Sequence, residues 1–134
     1  MSTSSARTIT TNQAPTPVGP YSQAVLVGKW LYCSGQIPLD PISGVLIGEG
    51  DISAETRQVL ANLVSVLKAA GANVSQVVRT TVFLTDLADL AAVNEIYAEV
   101  FKSLAVPARA CVQVAALPKS AKVEIDCVAW LGTD

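Results

Sequence analysis

Between Val77 and Leu84 the chain reads Val-Val-Arg-Thr-Thr-Val-Phe-Leu, and both alternating sets are substantially apolar: Val77, Thr81 and Phe83 against Val78, Val82 and Leu84. The β-branched residues predict a strand, and two apolar sides predict one that is covered on both faces. Two other segments carry a helical period. In the first, Ile52, Thr56, Val59, Leu60, Leu63, Val66, Leu67 and Ala70 recur at steps of three and four, with Asp51 or Ser53 available as N-cap and Gly71 placed to end the helix. The second runs from about Leu87 to Leu104, with Leu90, Val93, Ile96, Tyr97, Val100 and Phe101 on one stripe and Asp86 as cap. Each helix has a polar back, so each buries one side only.

The remaining apolar runs read as strands. Residues 24–34 break at Gly28-Lys29 into a β-hairpin, and 108–115 and 122–130 are separated by Leu117-Pro118-Lys119-Ser120, which reads as a second hairpin. The order hairpin, helix, strand, helix, hairpin predicts a single α+β domain over residues 1–134, with a mixed sheet and both helices on one face. Residues 1–8 are expected to be a mobile N-terminus. Two one-sided helices cannot cover both faces of a sheet of about five or six strands, so the bare face is expected to be buried between copies of the chain. A chain of 134 residues that is 51% hydrophobic and only 15% charged has the apolar surplus for such an interface. The connection from Gln36 to Gly50, with Pro38, Pro41, Gly44 and Gly48, is long enough to line a site.

The chain has no histidine, which removes Ser-His-Asp and Cys-His nucleophilic machinery and the commonest metal ligand. Cys33, Cys111 and Cys127 form no CxxC pair, so neither a zinc site nor a disulfide scaffold is expected, and a reducing, cytoplasmic location is. The first 20 residues lack acidic groups and contain only Arg7 as a basic one, which leaves organelle targeting open. A net charge of −2 with scattered Lys and Arg argues against nucleic acid as the main ligand, and no apolar run is long enough to span a membrane.

Alternation in 108–115 sets Arg109, Cys111 and Gln113 apart from Ala108, Ala110, Val112 and Val114; in 122–129 it sets Glu124 and Asp126 apart from Val123, Ile125 and Cys127. If these strands pair as a hairpin, Arg109, Cys111, Glu124 and Asp126 share one face. The plain reading is a cross-strand ion pair on a solvated surface, worth about 0–1 kcal/mol. The functional reading is a site in which Arg109 grips a planar carboxylate through paired hydrogen bonds and Glu124 holds or deprotonates a water. No cofactor is needed for that chemistry. Cys33 and Cys127 fall on apolar positions and read as core, whereas Cys111 is a candidate ligand contact beside Arg109.

Gly19-Pro20-Tyr21-Ser22-Gln23-Ala24, Ser34-Gly35-Gln36-Ile37-Pro38, Arg79 to Leu84, Pro107-Ala108-Arg109, Val114 to Pro118 and Val123-Glu124-Ile125 closely resemble, in order and spacing, the reactive intermediate deaminase (RidA, or YjgF) family over about Ile9 to Ala129. The resemblance implies a chorismate-mutase-like fold assembled as a homotrimer with clefts between subunits. It also implies hydrolysis of enamine and imine intermediates such as 2-aminoacrylate and 2-aminocrotonate to 2-oxo acids and ammonia, without metal or cofactor. Arg109 matches the family's carboxylate-binding residue and Glu124 its water-positioning residue, while Tyr21, Ser34, Gly35, Asn94 and Cys111 match its substrate contacts. Asp126 shortens the family's second acidic residue. The rival readings are a protein that binds 2-oxo acids without turnover, the ribonuclease or translation-inhibitor role given to some relatives, and a chaperone-like role.

Overall fold

The computed structural model describes residues 6–102 and 106–132. Eight elements follow in the order β1 (Arg7–Ile9), β2 (Ala24–Val27), β3 (Trp30–Gln36), α1 (Ile52–Ala69), β4 (Val77–Leu84), α2 (Leu90–Phe101), β5 (Ala108–Gln113) and β6 (Val123–Trp130), with short 3-10 turns at Val74–Gln76, Leu87–Asp89 and Pro118–Ser120. The strands form one mixed sheet in the order β1-β2-β3-β6-β4-β5, so the fold is α+β as the pattern predicts.

The predicted first hairpin forms, with Val27 opposite Trp30 and Gly28 at a φ of +60° in the two-residue turn. Helix α1 is capped by Asp51, whose side chain accepts the Ala54 N–H, and stops before Gly71 at a φ of +80°. Asp86 caps a 3-10 turn rather than α2 itself, which begins at Leu90; the expected end at Leu104 lies outside the described residues.

Two expectations are corrected. Arg7 and Thr8, expected at the end of a mobile N-terminus, instead begin a strand: Arg7–Ile9 pair antiparallel with β2, and Ile9 is buried. The second hairpin does not exist. β4 lies between β5 and β6, parallel to β5 and antiparallel to β6. The helix between β4 and β5 is the reason, because a strand–helix–strand unit returns the second strand parallel to the first, beside it.

Helix-side residues of the inner strands make the core: Leu31, Val82, Leu84, Val123 and Ile125 are buried, packed with Val59, Leu63 and Val66 of α1 and Val93 and Ile96 of α2. A bulge at Val78 shifts the alternation of β4, so Thr80, Val82 and Leu84 are buried while Thr81 and Phe83 are only half-buried. Within one chain β4 is thus fully covered on a single side. On the bare face Trp30, Tyr32 and Val112 are 44%, 51% and 42% exposed. Among the described residues no helix is long and apolar enough to cross a membrane.

Candidate active site

Tyr21, Ser34, Gly35 and Glu124 converge on a cavity of about 310 Å³, completed by Val18, Ile37 and Pro118. Its geometry starts at an irregularity of β3. The ladder to β6 shifts register between Cys33 and Gln36, and the Ser34-Gly35 pair occupies the shift. Ser34 is held to the preceding connection twice, its N–H donating to Gln23 O at 3.0 Å and its hydroxyl to Ser22 O at 2.6 Å. Gly35 lies against the Glu124 side chain so closely that a methyl group there would overlap Oε2. The absence of a side chain at this position is therefore what leaves room for the carboxylate.

Two buried polar side chains, neither of them named as a site residue from the sequence, hold the cavity walls. Gln23 donates to Thr11 O at 3.0 Å and Pro15 O at 2.9 Å and accepts the Thr11 N–H at 2.7 Å, fastening the segment that leads to Val18 and Tyr21. Asn62 of α1 donates to Ile37 O at 3.2 Å and Leu39 O at 3.0 Å, fixing the wall that follows Gly35. Gln23 stands within the Gly-Pro-Tyr-Ser-Gln-Ala run, so its pattern is visible in sequence; Asn62 is signalled only as a polar break in an apolar helix stripe. Of the 36–50 connection, Ile37 lines this cavity, while Asp40 serves its own turn by accepting the Ile42 and Ser43 N–H groups, which holds its carboxyl below the usual range.

Glu124 titrates above the ordinary carboxylate range, first because burial penalises its charge and second because Asp126 lies nearby. A carboxyl so shifted is better suited to exchange a proton near neutrality.

Arg109 is elsewhere. It is level with Thr80 on β4, and Thr80 is level with Cys127, so Arg109 points to the helix side; Glu124 is level with Phe83 and points to the bare side. The expected common face of Arg109, Cys111, Glu124 and Asp126 is thereby overturned, because inserting β4 between β5 and β6 reverses their relative parity. Arg109 and Asn94 do meet: Nη1 donates to Asn94 Oδ1 at 2.8 Å, and the guanidinium lies 4.9 Å from the centre of the Tyr97 ring. Cys111, two residues along the same edge strand, packs partly on the core. Burial pushes its thiol up while Arg109 pulls it down, with burial the larger effect, which disfavours a thiolate. Cys33 and Cys127 are buried opposite one another between β3 and β6, and the Cys33 thiol together with burial pushes Cys127 up, so both are core residues as expected.

Each chain therefore carries two separate groups of candidate residues, an Arg109–Asn94 edge and a Glu124 cavity. Comparison with known proteins gives this arrangement a lineage. The model of the family described as endoribonuclease L-PSP matches residues 11–131. The chain is 52% identical over 132 residues to human 2-iminobutanoate/2-iminopropanoate deaminase, covering 98% of this chain and 95% of that one. The crystal structure of RidA from an Antarctic Psychrobacter superposes with a TM-score of 0.88 at 44% identity, covering 92% of this chain and 98% of that one. Escherichia coli TdcF, solved with bound serine, gives a TM-score of 0.89 at 40% identity over 94% and 99% of the two chains. With full-length matches in both sequence and structure, the chain belongs to the RidA (YjgF) family, whose family model bears the name endoribonuclease L-PSP.

Proposed function

We propose that this protein hydrolyses small 2-imino acids to 2-oxo acids and ammonia, in clefts formed where Arg109 of one subunit meets Glu124 of the next. The observation that carries the reading is the Glu124 cavity, a half-exposed carboxyl of raised proton affinity beside a glycine that keeps the space above it open. The human relative named for imine deamination, and the relative solved with a small amino acid bound, support the same chemistry. The bare sheet face, with Trp30 and Tyr32 exposed, supplies the surface on which a homotrimer would close.

In this reading Arg109 pairs with the substrate carboxylate, and Tyr21, the Ser34-Gly35 backbone and Cys111 border the remainder. Glu124 accepts a proton from water as its oxygen attacks the C=N carbon. Glu124 returns that proton to the nitrogen of the tetrahedral carbinolamine; the C–N bond then breaks, the hydroxyl gives its proton to the Glu124 carboxylate as the carbonyl forms, and ammonia leaves. The imine carbon is already electrophilic, so positioning and one proton relay suffice. For an enamine substrate, protonation at carbon comes first and yields the imine. Scattered cations and the missing histidine give no comparable support to RNA cleavage.

The test is a coupled assay in which a serine or threonine dehydratase generates imine and 2-oxo acid appearance is followed. A charge-assisted hydrogen bond contributes about 1.5–3 kcal/mol, so Arg109→Ala should lower kcat/KM at least ~10-fold. Glu124→Gln should be similarly impaired. Mixing the two inactive variants and reassembling them should restore about a quarter of wild-type activity, since random association gives that share of clefts both native residues. A mixture as inactive as its parents would remove the shared cleft, and a fully active Arg109→Ala would remove the carboxylate assignment.

A further inference from the structure

The guanidinium of Arg109 rests on an aromatic platform that is itself anchored to the sheet. Tyr97 of α2 is 5% exposed and Thr80 of β4 is 0% exposed. Their hydroxyls are hydrogen-bonded at 2.7 Å, inside the core. Thr80 is also the β4 residue level with Arg109 in the parallel β4–β5 pair. The strand residue beside Arg109 therefore holds the tip of the ring that lies under it, while Asn94, one turn earlier on α2, accepts one of its N–H groups at 2.8 Å. One face of the guanidinium and one N–H are taken, which leaves the opposite face and the rest of the planar fork for a ligand.

We infer that Tyr97, locked by Thr80, is a positioning residue that sets the guanidinium plane of Arg109 and so determines affinity for the substrate carboxylate. This rests on the proposed role of Arg109. The plain alternative is that Tyr97 is core filling, since its ring also packs 4.6 Å from Phe101. That alternative explains the ring but not why a buried position carries a hydroxyl whose partner is the residue level with Arg109. A phenylalanine would fill the volume without a polar atom to satisfy. A flexible arginine gains most from such a frame because two parallel hydrogen bonds to a carboxylate require a fixed plane.

The test separates affinity from turnover. Binding of 2-oxobutanoate is measured by calorimetry, and KM and kcat by the coupled assay, for wild type, Arg109→Ala, Tyr97→Phe, Tyr97→Leu and Thr80→Val, with mass and thermal midpoint recorded for each. Loss of the ring in Tyr97→Leu should raise Kd and KM about tenfold, the scale of a desolvated cation–π contact, with kcat within about twofold. Tyr97→Phe keeps the ring and should recover most of that affinity; Thr80→Val should fall between. In an Arg109→Ala background Tyr97→Leu should change Kd no further, because the platform acts only through the guanidinium. Wild-type affinity in Tyr97→Leu, or additive effects with Arg109→Ala, overturns the inference. Should Tyr97→Leu not fold, Tyr97→Phe and Thr80→Val decide alone, and unchanged affinity in Thr80→Val overturns it. Undiminished 2-oxobutanoate binding by Arg109→Ala would instead overturn the proposed carboxylate site itself.

Discussion

Glu55 offers a quantitative test of how the cavity is held. It is completely buried in the first turn of α1, where Oε2 accepts the Gly50 N–H and Oε1 the Lys122 N–H, each at 2.8 Å. The second bond spans 67 residues of sequence and joins the helix to the start of β6, two residues before Glu124. Glu55→Ala strands two buried N–H donors, at about 1–3 kcal/mol each, and opens a void, for a total of about 3–6 kcal/mol. Glu55→Gln preserves volume but turns an NH₂ toward one of the donors, a loss of about 1–3 kcal/mol. At ~3–5 °C per kcal/mol for a domain of this size, the alanine variant should melt roughly 10–30 °C lower. Urea unfolding followed through Trp30 and Trp130 fluorescence provides the free energies, at one fixed chain concentration because association is linked to stability. A loss below about 0.5 kcal/mol in Glu55→Ala, the size of an ordinary surface substitution, would refute the reasoning.

Four further outcomes follow from the site and its proposed assembly. Glu124 has a folded pKa above its unfolded one, so its contribution to stability is fully present below the unfolded value and is lost as pH rises through the folded value. The always-neutral Glu124→Gln should therefore be more resistant to urea than wild type at neutral pH, the gap closing toward ~pH 4, and a constant gap would contradict it. The acid limb of kcat/KM should lie above the ordinary carboxylate range and move to lower pH in Asp126→Asn, which removes the like charge but not the burial. Gly35→Ala should displace the Glu124 carboxylate and reduce kcat/KM more than ~10-fold while the melting point moves only a few degrees, since the overlapped atoms belong to a flexible side chain. Sedimentation at micromolar concentration should give three times the 13.9 kDa chain mass, and a clean monomer would remove the shared cleft.

Periodicity locates both helices, the first hairpin and every strand after it, because amphipathic patterns record which side of a local segment is buried. The motifs in which Arg109, Glu124, Tyr21 and Ser34-Gly35 stand are legible for the same local reason. Two further signals stand in the sequence. The β4–α2–β5 succession itself implies a parallel pair, and the apolar Ile9 marks β1 at an edge where strands can be very short.

What the sequence by itself determines here is both helices and the strands after β1, the absence of histidine-based chemistry and the set of candidate side chains for the site. Alternation says that Arg109 and Glu124 each stand on the polar side of a strand, but parity is defined only relative to a neighbour. Tertiary structure decides that the neighbour of both strands is β4, and so sends Arg109 to the helices and Glu124 to the bare face. It likewise brings Thr80 to Tyr97 and Glu55 to Lys122, contacts between residues far apart in the chain that no local period encodes.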